Sequence, residues 1–182
     1  AVSKSSASRA TSSSPPPQQP QKVEKVEVTG SSIKRVADEG ALPLQVITRE
    51  ELITRYLDAG AGGLMVPHIE HAEAARELVR AVRYAKPLDW ASKLVIAMIE
   101  SETALGNLDE ILMVDGIDVF FVGPGDLSNS MGMPGQMFHP VVRDRVFDAC
   151  RQIQAAGGIA GTLVNRGNVG EYKAAGFRLL YE

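Results

Sequence analysis

The stretch Leu94–Met131, LVIAMIESETALGNLDEILMVDGIDVFFVGPGDLSNSM, decides how this chain is read. LVIAMIE is a short apolar run ending on a carboxylate, Glu100, and IDVFFVG is a second such run. Between them Ala104, Leu105, Leu108, Ile111 and Leu112 recur at helical spacing, which predicts one crossover helix joining two parallel strands. A loop through Gly123-Pro124-Gly125 then leads to Asp126. Parallel α/β sheets carry their working groups at the carboxyl ends of the strands, so Glu100 and Asp126 fall in one layer. Two carboxylates beside a glycine-rich turn suit a hard cation, and the absence of soft ligands selects Mg²⁺ or Mn²⁺ over a closed zinc site. The same two positions also suit helix caps, each acid opening the helix that follows it. Glu102 is read as serving the N-terminus of its helix, and Asp115 and Asp118 fall at the opposite end of the sheet.

The pattern continues outward in both directions. Strand GLMVPHI and helix AEAARELVRAVRYA precede the stretch. Helix HPVVRDRVFDACRQIQAAG, strand GIAGTLV, helix VGEYKAAG and strand FRLLYE follow it. Strands alternating with helices predict a parallel sheet with helices packed against it, an α/β fold of five strands.

These residues resemble the HpcH/HpaI aldolase/citrate lyase family from about Tyr56 to Glu182. GLMVPHIEHAEAARELVRAVRY, the IE strand, NLDEI, VDGIDV and VGPGDLS occur in the family's order. The resemblance implies a metal-dependent carbon–carbon lyase that forms or cleaves 4-hydroxy-2-oxo acids through a pyruvate enolate. It implies divalent-metal ligands at Glu100 and Asp126, and a pyruvate carboxylate received by the backbone of Gly125 and Asp126. The partners it implies are a pyruvate-like 2-oxo acid and an aldehyde. The family fold is a (β/α)8 TIM barrel, which takes about 250 residues. The five strands counted here correspond to its fourth to eighth, so the expected fold is a partial barrel. The family's catalytic His and Arg lie on strands without a counterpart here, so no catalytic residue is assigned and the chain is expected to be impaired. His68 follows strand GLMVP and faces the mouth, whereas His71 and His139 open helices and are read as capping or packing residues. RYAKPLDWASK replaces a glycine-rich loop of the family, and Met98 stands where many relatives carry Gln.

The remainder reads differently. Residues 1–21, with SKSSASRATSSSPPPQQPQ, are rich in Ser, Pro and Gln and lack a core-forming face, which predicts a disordered linker. Residues 22–55 begin with KVEKVEVTG, alternating apolar and charged, and continue through LPLQVITREEL. Thr48 and Glu51 form the pattern of a capping box there, and Leu52, Ile53, Tyr56 and Leu57 make an apolar face. VEKVEVTGSSIKRVADEGALPLQVITREEL resembles the start of the plug domain of TonB-dependent outer-membrane receptors. The chain thus reads as a fusion of unlike segments, with residues 56–182 as the aldolase-like part.

Composition sets the outer bounds. Hydrophobic content of 45% and charged content of 23% over 182 residues are those of a globular domain with a core. A net charge of -3 gives no argument for nucleic acid as a partner. The single cysteine, Cys150, sits in an amphipathic helical pattern and is read as a buried small hydrophobe. The chain opens on Ala1 rather than Met, as a processed or trimmed chain would. Two unpaired sheet edges favour association, so a homo-oligomer is expected. The lyase reading suits the cytoplasm. The alternative functions are a receptor-derived binding module of the periplasm or outer membrane, and an inactive fusion product.

Overall fold

The computed structural model describes residues 47–182. The linker of residues 1–21 and residues 22–46 of the plug-like segment 22–55 lie outside the described residues, which begin at Ile47. The elements run α1 Arg49–Asp58, β1 Gly63–Val66, α2 Ala72–Ala85, β2 Leu94–Ile99, α3 Glu102–Gly106 and α4 Leu108–Leu112. They continue as β3 Val119–Val122, α5 Pro124–Ser130, α6 Pro140–Ala155, β4 Ala160–Leu163, α7 Val169–Ala174 and β5 Leu179–Tyr181. The five strands pair in sequence order, all parallel, and curl into part of a (β/α)8 barrel. That order is the one the alternating pattern predicts.

Period-two alternation sorts each strand into two faces. Val95, Ala97 and Ile99 of β2 and Phe120 and Val122 of β3 join the larger core under the helices. Ile96 and Met98 of β2, Val119 and Phe121 of β3, Leu163 and Leu179 make a smaller cluster on the concave face. Two further apolar side chains, Met65 (40% exposed) and Leu94 (44%), lie near the β1 margin. Among the described residues, β1 and β5 each have one strand neighbour, so one edge of each is unpaired.

Local chemistry explains most element boundaries. Thr48 caps α1 through the expected box: its Oγ1 accepts from the Glu51 N–H at 3.2 Å, while Glu51 Oε2 accepts from the Thr48 N–H at 3.2 Å. The α1 face is narrower than its apolar residues suggest. Ile53 and Leu57 are buried, but Leu52 and Tyr56 stay exposed beside β1 and help line a groove of about 370 Å³. The single crossover helix expected between β2 and β3 is two short helices instead. Gly106-Asn107 divides them, and Asn107 Nδ2 donates to the Glu70 carbonyl at 2.9 Å, tying the break to the β1–α2 connection. Asn and Gly are among the weaker helix formers, so the break falls where propensity is lowest. Ala104, Leu108 and Ile111 are buried nevertheless, as the spacing predicts.

The segment after β3 departs from expectation too. It is a helix, α5, rather than a loop, with Pro124 at its first position, where a missing N–H costs nothing. On α6, Val142, Val146, Ala149, Cys150 and Ile153 form the buried stripe. Cys150 is a buried free thiol: its Sγ accepts from Gln154 Nε2 at 3.0 Å and lies 3.8 Å from the Ala175 carbonyl oxygen. No helix among the described residues is long and apolar enough to cross a membrane.

Candidate metal centre at the strand ends

β2 and β3 pair in the register Ile99 to Val122, so the next residues, Glu100 and Gly123, stand side by side at the carboxyl end of the sheet. Gly123 N–H donates to the Ile99 carbonyl at 3.0 Å, which carries the ladder to the mouth. By alternation Glu100 continues the concave row of Ile96 and Met98, and Gly123 that of Val119 and Phe121. A Cβ built on Gly123 would lie 3.1 Å from both Cβ and Oε2 of Glu100. Glycine therefore leaves the space that the carboxylate fills.

The Glu100 side chain is only 3% exposed. Its Oε1 accepts the His68 main-chain N–H at 2.9 Å and lies 3.2 Å from His68 Nδ1. Among the described residues no Lys or Arg forms an ion pair with it. Moving a charge out of water without a counter-charge costs several kcal/mol, so this carboxylate suits a cationic partner. Its two oxygens are hard donors of the kind that Mg²⁺ and Mn²⁺ prefer.

His68 itself is in an uncommon state. It is the one non-glycine residue among those described with positive φ, at 57°. That left-handed conformation costs about 1–2 kcal/mol for a residue with a Cβ. Its ring is 64% exposed at the mouth of the sheet, the direction expected from the sequence. His71 is the N-cap residue of α2 without a side-chain capping bond, and His139 caps α6, its Nδ1 accepting from the Val141 N–H at 3.3 Å.

Neither expected acid serves as a helix cap. Ser101 caps α3, its Oγ accepting from the Ala104 N–H at 3.0 Å, and Gly123 is the N-cap of α5. Asp126 is the third residue of α5; it is exposed, and its Oδ1 accepts from Asn129 Nδ2 at 3.2 Å. Gly125 lies just before it with open space where a side chain would be, and first-turn N–H groups such as those of Gly125 and Asp126 have no intrahelical acceptor. The start of α3 and the end of α5 are joined directly, because the Glu102 N–H donates to Ser130 Oγ at 2.9 Å. The Glu102 carboxylate turns outward to Arg145 at 3.7 Å. Asp118 lies at the far end of the sheet, accepting the Val95 N–H at 2.7 Å, away from the candidate site as expected.

The structure thus brings together Glu100, Gly123 and His68, and sets Asp126 on the neighbouring strand's exit with a different partner. Among the described residues no three His, Cys, Asp or Glu side chains cluster to enclose an ion. A cation at Glu100 and Asp126 would hold much of its shell as water or ligand oxygens, which is the habit of Mg²⁺. Gly123 and the His68 main chain are parts of the site that sequence reading passed over. The Pro67-His68 pair at the end of an apolar run was the available signal, since Pro interrupts the donor pattern of a strand.

The family model for HpcH/HpaI aldolase/citrate lyase matches residues 45–178. The chain is 40% identical over 135 residues to the 2-keto-3-deoxy-L-rhamnonate aldolase of Escherichia coli strain K12, covering 62% of this chain and 51% of that enzyme. It spans about half the length of the curated relatives it matches. Among solved structures, the HpcH/HpaI aldolase of Desulfitobacterium hafniense DCB-2 is 30% identical with a TM-score of 0.64, over 74% of this chain and 61% of that one. The citrate synthase SbnG is 29% identical with a TM-score of 0.64, over 71% of this chain and 59% of the other.

Proposed function

The chain belongs to the HpcH/HpaI aldolase/citrate lyase family, and from that premise we propose that it carries the metal-binding half of an aldolase-type carbon–carbon lyase site. Glu100 and Asp126 would hold a Mg²⁺ or Mn²⁺ ion, and the main chain of Gly125 and Asp126 would receive the carboxylate of a pyruvate-like 2-oxo acid. When bound, such a cation supplies Lewis-acid polarisation of a keto oxygen. The supporting observation is Glu100, a 3% exposed carboxylate at the mouth of a parallel sheet that no Lys or Arg among the described residues neutralises.

Each residue has a defined task in this reading. Glu100 supplies a fixed, desolvated negative charge, because β2 holds its Cβ and Gly123 leaves room for its Oε2. Asp126 supplies a second, solvent-facing oxygen donor from the adjacent strand exit. Gly125 keeps the approach to the α5 main chain open for an anion.

The test is a Mn²⁺ titration followed by electron paramagnetic resonance on the wild type, Glu100→Gln and Asp126→Asn. The wild type should bind one ion, and each variant should lose about tenfold or more in affinity, since each removes an anionic ligand. Equal binding by all three proteins would remove the site.

A further inference from the structure

The ladder between β1 and β2 runs in register from Gly63–Leu94 to Val66–Ala97 and stops before Pro67. Two residues later it resumes, with the Ile69 N–H donating to the Met98 carbonyl at 3.2 Å. His68 lies between, and its N–H goes to a side chain, Glu100 Oε1, at 2.9 Å. We infer that His68 is a positioning residue for Glu100, acting through its main chain: the left-handed backbone at 68 turns the N–H onto Oε1 and holds the carboxylate in place at the mouth. The inference rests on the reading of Glu100 as a metal ligand.

Three observations converge on this role. The conformation at 68 is unfavourable for any residue with a Cβ, yet the surrounding structure keeps it, and such strain persists only where neighbours over-determine it. The bond it makes is to a charged acceptor that is nearly fully buried, the kind that loses most when a donor is removed. The opposite side of the same carboxylate is bounded by Gly123, whose would-be Cβ lies 3.1 Å from Oε2. Glu100 is therefore fixed on one side by a donor on β1's exit and given room on the other by a glycine on β3's exit. Partners that orient a metal ligand in this way typically set 10–100-fold of metal affinity.

The ring and the main chain of His68 can be separated, because His68→Gly and His68→Val both remove the imidazole. Glycine takes positive φ without cost, whereas a β-branched residue resists it strongly. His68→Gly should keep the wild-type Mn²⁺ affinity to within about twofold, and His68→Val should weaken it by about tenfold or more. Similar affinities in the two variants would overturn the inference, and so would a loss in His68→Gly as large as that in His68→Val. A second measurement needs no His68 variant. The His68 amide proton should resonate far downfield in ¹H–¹⁵N spectra of the metal-free protein and move upfield in Glu100→Gln, where a neutral oxygen replaces the carboxylate. An unmoved resonance would overturn the inference. A wild type that binds no Mn²⁺ would instead overturn the metal reading, and the amide resonance would then decide the positioning role by itself.

Discussion

Replacing Gly123 by alanine tests the geometry of the strand ends without touching a charged group. The added Cβ would sit 3.1 Å from the Cβ and Oε2 of Glu100 and 3.5 Å from Met98 Cε. Carbon atoms pack best at about 3.5–4.0 Å, so the Cβ pair would be too close by about 0.4–0.9 Å. Met98 can swing its terminal methyl aside, but Glu100 Cβ is fixed to a strand paired on both sides. Overpacking of this kind costs about 1–3 kcal/mol. Gly123 has φ of -88°, which alanine adopts freely, so the loss of unfolded-state freedom returns about 0.4–1 kcal/mol. The net destabilisation should be about 1.3 kcal/mol by urea denaturation, the difference of the midpoints of those two ranges. Metal sites tolerate displacements of about 0.2 Å, so moving Oε2 by more should lower Mn²⁺ affinity about tenfold, or 1.4 kcal/mol. Wild-type stability together with wild-type Mn²⁺ affinity would refute the close approach of Gly123 to Glu100.

Two further outcomes follow from the packing. Gly161→Ala should lower stability by about 1–3 kcal/mol in urea, because its Cβ would meet Phe121 Cδ2 at 2.9 Å and Leu179 Cβ at 3.0 Å from either side; an unchanged midpoint would contradict the register of β3, β4 and β5. Burial pushes the Cys150 thiol up from its ordinary range, and burial together with Glu171 does the same to the Tyr172 phenol. Both groups then hold protons in the folded state that the unfolded chain releases, so stability should fall as pH rises above about 8.5 for the thiol and about 10 for the phenol. Urea midpoints measured from pH 7 to 11 should decline over that span, and Cys150→Ala should flatten the first part of the decline.

The order and direction of the strands were legible because each apolar run is short and each helical stripe keeps its period; β2 and β3 fall within LVIAMIE and IDVFFVG. The helix break at Gly106-Asn107 was less visible, since Ala104, Leu108 and Ile111 keep one buried side through it. α5 escaped because Pro and Gly mark turns in sequence, while Pro at a first helical position is also favourable. At the site, Glu100 was legible as an acid ending an apolar run. Its supports showed only as residue types, Gly123 in a glycine-rich turn and Pro67-His68 ending an apolar run, and neither pattern tells that the one leaves space for Glu100 and the other gives it a backbone N–H. The opposite fates of Leu52 and Ile53, neighbours on α1, depend on which strands lie beside the helix, which periodicity alone does not carry.

The strand order has a mechanical consequence for the mouth. In a closed ring every strand is clamped from both sides, and closure itself fixes the curl. Among the described residues the sheet has two outer members, β1 and β5, each held by one ladder, and three inner members that cannot part without losing two. Glu100 and Gly123 issue from the seam between two inner members, so the carboxylate and its glycine neighbour should keep their spacing while the margins loosen. His68 leaves from an outer one. Its amide bond to Oε1 therefore ties the exit of β1 to the carboxylate, and whatever firms up that margin should also steady the centre.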